Sequence, residues 1–506
     1  MSLLKSLSAF AAAAAVSASV SVGWADGLGN GSSAVDQDLP DLGSPATAAV
    51  SLEEEYEVGL SWFAQMRQTG QVLEDPEVSD YIQEIGHSLS SHAEEGQHQF
   101  YYFVLKDPIV NAFAMPGGFI AIQSGLILAT RNENELAGVM AHETAHVTQR
   151  HLVRQLIDQS HAGLMSTAAM LAAILLGATA GRGDPSAMEG AILAAQSAGI
   201  QHQINYTRHN EFEADRIGIG TMASAGYDPL GMSSFFEYIG SFGPEPSRIN
   251  AVQFLIDHPL PADRVAEAKN RAAQIGRIRH ADSLDYLLMR ERLRSLVTPR
   301  AAHEYYANLL KNGAGLSIEE RYGKDVSDIE TRNAAAAIPD LQALVREYPK
   351  VNQFYGALGQ AYLANGQFKE SQAVLDKAVT LFPRNAPITI RLAETLMHEG
   401  DNKRAHLILD DLFNVVEPTP EQTKLIAKAA NAAGDPADAY YYMSFYYVMN
   451  GNIKMAANQL ELGLSMPGLD AVQRGRISAR LDELHAAMKP KDRKSTVADD
   501  NGDGRH

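Results

Sequence analysis

The sequence predicts a mainly α-helical protein in two parts. An α+β unit comes first, with a small sheet and a helix carrying His142-Glu-Thr-Ala-His146; an all-α array of repeated helical hairpins follows. Three observations carry this reading. Helical spacing of apolar residues dominates from about Glu133 onward. Two aromatic and β-branched runs, Phe100–Leu105 and Phe119–Gln123, flank a turn at Asn111–Gly118. Gly366, Gly400 and Gly434 recur every 34 residues.

With 506 residues, 45% of them hydrophobic, the chain holds material for two or three cores. Lys plus Arg is 42 and Asp plus Glu is 61, a net charge of −19 with no basic block, which excludes nucleic acid as a partner class. Cys is 0, so disulfides, thiol nucleophiles and Cys-ligated metals are excluded, and any metal must be held by His, Asp or Glu.

The N-terminus reads as a signal peptide over residues 1–25. Lys5 precedes an uncharged, Ala-rich run from Ser6 to Val22, and Gly23-Trp24-Ala25 offers a cut before Asp26. An uncleaved anchor is the alternative. Residues 26–50 form a Gly/Ser/Asp/Pro-rich linker. Residues 51–275 are expected to form the α+β unit. Leu52, Tyr56, Leu60 and Phe63 share a helix face, and Asp75-Pro76-Glu77 starts a second helix bearing Val78, Tyr81, Ile82 and Ile85. The strand containing Phe119, Ile120, Ala121 and Ile122 is expected to bind substrate by edge pairing.

On a helix, residues four apart share a face, so His142 and His146 can present two imidazoles to one ion, with Glu143 close enough to reach a water beside it. A catalytic zinc needs a third protein ligand. Glu211 is the candidate, in the helical segment Asn210-Glu-Phe-Glu-Ala-Asp215. Asp215, one turn on, can accept from a ligand imidazole, while Glu213 points elsewhere. His151 lies five positions after His146, off the metal-facing side of a straight helix. Like His87, His92, His98, His161, His202 and His209, it has no comparable argument and is expected to be a surface or hydrogen-bonded residue.

Residues 162–181 are uncharged and about long enough to cross a membrane. A single crossing would separate His142 and His146 from Glu211 by about 30 Å. A return through 187–205 carries Glu189, Gln196, Gln201 and His202 into lipid at high cost. The preferred reading is a helical hairpin packed on the unit or in peripheral contact with a membrane; spanning stays open.

Residues 276–487 are expected to be the repeat domain. Leu358-Gly359-x-x-Tyr362, Ala373 and Pro383 fit the tetratricopeptide pattern, and Ser371, Ala405 and Ala439 follow the three turn glycines by five residues. Stacked hairpins of this kind offer a binding face. Residues 488–506 read as a disordered tail.

The combination of His142-Glu-Thr-Ala-His146 with Glu211-x-x-Ala-Asp215 resembles the HExxH metallopeptidase family that contains HtpX and the CAAX prenyl proteases. Asn111–Phe119, Ala225–Pro229 and His258-Pro259 with Arg264 are similar to further elements of that family. The resemblance runs from about residue 52 to 275 and more loosely to about 487. It implies a zincin-like fold, one Zn²⁺ per chain on His142, His146 and Glu211, and Glu143 as catalytic acid/base. By the same resemblance His258 occupies the fourth zinc position in a closed resting state, or stabilises the oxyanion once displaced, and Arg264 holds charge in the transition state.

Together with the export signal and the repeats, the resemblance implies a periplasmic zinc endopeptidase that cleaves misfolded or stalled envelope proteins. Its repeats would recruit outer-membrane proteins and their assembly machinery, joining protease and chaperone work. A scaffold or chaperone with a gated protease site stays open, as does a membrane-embedded protease of the prenyl-protein type.

Overall fold

The computed structural model describes residues 50–93, 99–157, 207–241, 254–313 and 315–488. The expected signal peptide, nearly all of the linker, the 162–181 run with its return, the residues after Met488, and His98, His161 and His202 lie outside these. Met488, assigned to the tail, instead ends the last helix.

Helix α1 (Leu52–Gln68) begins at a Ser51–Glu54 capping box, and α2 (Pro76–Ser90) at Asp75, whose carboxylate accepts from the Val78 amide. Three strands follow: β1 (Tyr101–Leu105), β2 (Ala112–Ala114) and β3 (Phe119–Gln123). Their order is β1-β3-β2, with β1 parallel and β2 antiparallel to β3. Side chains alternate between two layers, as the pleat requires. Phe103, Leu105, Phe119 and Ala121 pack with Phe63 of α1. Tyr102, Val104, Ile120 and Ile122 face the main core with α2.

This order corrects one expectation. β3 is central, hydrogen-bonded on both sides and buried throughout, so Phe119, Ile120, Ala121 and Ile122 cannot pair with a substrate strand. The edges are β2 and β1, the latter met on its outer side by a bridge between Val72 and Leu105. The tight return between β2 and β3 runs through Gly117 at φ 74°, where a Cβ would lie 2.4 Å from the Tyr56 backbone.

After α3 (Ser124–Ala129), helix α4 (Glu133–Thr148) starts at Asn132, which accepts from the Glu135 amide. Fifteen of its residues are buried, so it runs through the core rather than along its surface. The Thr144 and Tyr102 hydroxyls, 2.9 Å apart, fasten it to the sheet. Gly138 lets α5 (Leu230–Gly240) approach closely: a Cβ there would lie 2.8 Å from the Met232 Cα. Gly138→Ala is therefore expected to push the helices apart and cost about 1–3 kcal/mol, read as a lowered thermal midpoint.

The main core does not stop at the expected 275/276 boundary. Beyond α6 (Ala262–Ile275), it takes in Tyr286, Met289 and Leu293 of α7 (Leu284–Val297). Eleven further helices follow: α8 (Pro299–Lys311), α9 (Ile318–Glu330), α10 (Ala334–Glu347), α11 (Asn352–Ala364), α12 (Phe368–Leu381), α13 (Ala386–Glu399), α14 (Asn402–Phe413), α15 (Pro420–Ala433), α16 (Pro436–Met449), α17 (Ile453–Leu464) and α18 (Ala471–Met488). The three periodic glycines sit at the expected helix–helix turns with φ of 74°, 87° and 88°. Gly359 makes room for Leu375, 2.6 Å from where a Cβ would stand. Ser371 and Ala405 are fully buried, whereas Ala439 is half-buried and Ala437 takes the close-packed position in its hairpin.

Candidate metal centre

Four side chains from three segments converge: His142 and His146 of α4, Glu211 of the 207–224 helix, and His258 just before α6. His142 Nε2 lies 3.0 Å from His146 Nε2, 3.3 Å from His258 Nδ1 and 3.4 Å from Glu211 Oε2. Glu211 also stands 3.3 Å from His146 Nε2 and 3.1 Å from His258 Nδ1. One ring nitrogen carries either one hydrogen or one lone pair, so His142 Nε2 cannot satisfy three such neighbours by hydrogen bonding. A tetrahedron of donors about 2.0 Å from a central cation has edges of about 3.3 Å. The donor set and its spacing therefore fit a divalent cation.

The electrostatics agree. Burial opposes charge on His142, yet the Asp215 and Glu211 carboxylates outweigh it and push the ring up to about 9. Burial pushes His146 down to about 3, leaving a neutral donor. Burial would also raise Glu211, but the three imidazoles hold it well below the ordinary carboxylate range. The Asp215 and Glu211 carboxylates thus favour positive charge among the donors.

Asp215 Oδ1 lies 2.9 Å from His142 Nδ1, on the far side of the ring from the cluster, as expected. Arg264 departs from its expected role. It is 1% exposed, forks onto Asp215 at 2.5 and 2.9 Å, reaches Glu211 at 2.6 Å and donates to the Pro259 carbonyl at 3.0 Å. Its guanidinium is occupied behind the cluster and does not face a substrate. It positions Asp215 and Glu211.

Glu143 is buried beside the donors, with Oε1 3.4 Å from His258 Nε2, and burial pushes its carboxyl upward against the pull of His258 and His142. A cleft of about 360 Å³ opens over Glu143, His146 and His258, with Phe113, Ala114 and Met115 along one wall. The segment bearing His258 is held to β2 by the Asn111 side chain, which donates to Asp257 at 2.7 Å.

His151 stays outside the donor cluster, as expected, but is buried and bonded to one of its members. Arg150 adopts φ 51°, which ends α4, and the chain re-enters helix over 151–157. The break returns His151 to His146, their Nδ1 atoms 2.9 Å apart. Glu213 points away from the cluster, as expected, and meets His151 Nε2 at 3.1 Å. Nothing in Thr148-Gln149-Arg150 marks such a break: no Gly or Pro is present.

Comparison with known proteins agrees with the expected resemblance. The profile of Peptidase family M48 matches residues 76–272, and tetratricopeptide-repeat profiles match 327–386 and 363–429. A Vibrio cholerae serotype O1 protein is 33% identical over 456 residues, 88% of this chain and 92% of that one. The beta-barrel assembly-enhancing protease of Escherichia coli K12 is 30% identical over 452 residues, 88% of this chain and 91% of that one. The mitochondrial metalloendopeptidase OMA1 of Arabidopsis thaliana is 30% identical over 157 residues, 31% of this chain and 29% of that one. Fold, donor cluster and matches define a metalloprotease with C-terminal tetratricopeptide repeats. The chain belongs to the family of beta-barrel assembly-enhancing proteases. Among the described residues, no helix is long and apolar enough to cross a membrane.

Proposed function

We propose that this chain is a periplasmic zinc endopeptidase of outer-membrane assembly, holding one Zn²⁺ on His142, His146 and Glu211 with His258 in the fourth position. The observation that carries the reading is the convergence of those four donors within 4.8 Å of one another, with Glu143 against them. A divalent ion there supplies the Lewis acidity that peptide hydrolysis needs at neutral pH. Glu143 takes the proton from the attacking water and returns it to the leaving amine. Met115 donates to Phe119 and Asn111 accepts from Gln123, so residues 111, 113 and 115 face β3. Phe113, Ala114 and Met115 line the cleft, and an extended substrate strand can lie along them beside Glu143.

His258 closes the site in this arrangement: its ring stands between Glu211 and Glu143. Once displaced, it offers a cation to the developing oxyanion. His258→Ala is expected to raise casein hydrolysis several-fold. An unchanged rate would remove the closing role, and a fall would assign His258 to transition-state stabilisation alone.

Residues 1–25 direct export, and the protein recovered from a periplasmic extract is expected to begin at Asp26. The 162–181 run makes the peripheral membrane contact, and alkaline carbonate is expected to extract the full chain. The repeats recruit stalled or misfolded outer-membrane proteins and their assembly machinery, joining chaperone work to proteolysis. If Glu143→Gln supports normal client assembly, recruitment outweighs cleavage.

A further inference from the structure

We infer that His151 and Glu213 are positioning residues for the metal centre, fixing the tautomer and ring plane of His146. The inference rests on the proposed reading of the four-donor cluster as a cation site. His146 presents Nε2 to that cluster, 3.3 Å from Glu211 Oε1, and turns Nδ1 toward His151. His151 Nδ1 stands 2.9 Å from it, His151 Nε2 is 3.1 Å from Glu213 Oε2, and the Arg154 guanidinium donates to that oxygen at 3.2 Å.

Only one polarity satisfies this chain. The Glu213 carboxylate is an acceptor, so His151 Nε2 carries the hydrogen. In the neutral ring, His151 Nδ1 then has the lone pair, and His146 Nδ1 must donate to it. That leaves the lone pair of His146 on Nε2, aimed into the cluster. The opposite polarity would set a lone pair of His151 against the Glu213 carboxylate and a hydrogen of His146 into the cation's place.

The arrangement parallels the support of His142 with one imidazole added. Asp215, clamped by Arg264, reaches His142 directly. Glu213 lies two residues from Glu211, about 200° around its helix, and faces away from the cluster. His151 spans that difference. It is 3% exposed, and its place depends on the break at Arg150, whose side chain is tied to Glu55 at 2.7 Å and to the Val50 carbonyl at 2.6 Å. Arg154 also donates to the Gln149 carbonyl at 3.0 Å, bracing the same break.

The test is Zn²⁺ affinity of the full chain, stripped of metal and titrated against a chromogenic chelator, with the Co²⁺ absorption spectrum as a second readout. His151→Phe, which keeps a buried ring but loses the acceptor, is expected to weaken Zn²⁺ binding roughly 10–100-fold and alter the Co²⁺ spectrum. His151→Asn, whose side-chain carbonyl can accept from His146 Nδ1, is expected to recover most of that loss. Glu213→Ala, at a partly exposed position that tolerates truncation, is expected to weaken binding about 10-fold. Failure of the wild type to bind one ion per chain would overturn the cation site itself. Tight wild-type binding with unchanged affinity in Glu213→Ala and His151→Phe would overturn the inference alone. Equal losses in the Phe and Asn variants would assign His151 to packing and overturn it too.

Discussion

Glu143→Gln is expected to lower kcat for an unfolded protein substrate by about 10²–10⁴-fold, the usual share of general acid–base catalysis, while leaving the fold and the metal content unchanged. The substitution is nearly isosteric at a position 1% exposed. It keeps a side-chain oxygen to meet the Ala114 amide that steadies the carboxylate. What it removes is the site that receives a proton. A loss in kcat with KM held would place Glu143 in the chemical step rather than in substrate binding. Hydrolysis at the wild-type rate would remove it from that step.

The second large effect lies away from the metal. Arg292 of α7 is 1% exposed and forks onto Asp75 at 2.8 and 2.7 Å, with Glu77 at 3.2 Å and the Tyr322 hydroxyl at 3.1 Å. Arg391 of α13 joins the same carboxylates at 3.3 and 3.0 Å. The start of α2 is thereby bound to a peptidase-side helix and to the repeat array at once. Arg292→Ala leaves two buried carboxylates under-compensated and is expected to cost about 3–5 kcal/mol, seen as a lower thermal midpoint and faster limited proteolysis. A midpoint within about 1 °C of the wild type would contradict this, since even 1 kcal/mol moves a domain of this size by more.

The same network predicts acid sensitivity. Burial would raise Asp75, but its pairing with Arg292 and Arg391 and the Val78 amide hold it down at about 2. A carboxyl depressed on folding stabilises the protein above its unfolded pKa, near 3.8, and loses that contribution as pH falls toward 2. The difference corresponds to roughly 2 kcal/mol at 1.36 kcal/mol per pKa unit. Asp75→Asn is expected to be less stable than wild type at pH 7, with the gap closing below pH 4.

Local chemistry was legible wherever a short pattern determines structure. The spacing of His142 and His146 placed both rings on one face, and the three periodic glycines take the left-handed turn positions their spacing required. Asp75 caps α2 as its Pro76 neighbour suggested, and both expected strands form. Long-range relations were not legible. Strand order depends on which edges meet after the chain has turned, so the Phe119–Gln123 pattern could not show that β3 lies between its partners. Arg264 is fully engaged because the 207–224 helix brings Asp215 and Glu211 against it, a relation across 49 residues for Asp215. The kink at Arg150 follows from its tie to Glu55, 95 residues away, rather than from a breaker at the site.

The most direct test of the metal centre is elemental analysis of the purified full chain, taken from metal-replete growth and confirmed folded. Wild type and Glu143→Gln are expected to carry one zinc per chain, and His146→Ala or Glu211→Ala far less. A folded wild-type chain with no stoichiometric divalent metal would contradict the proposed site.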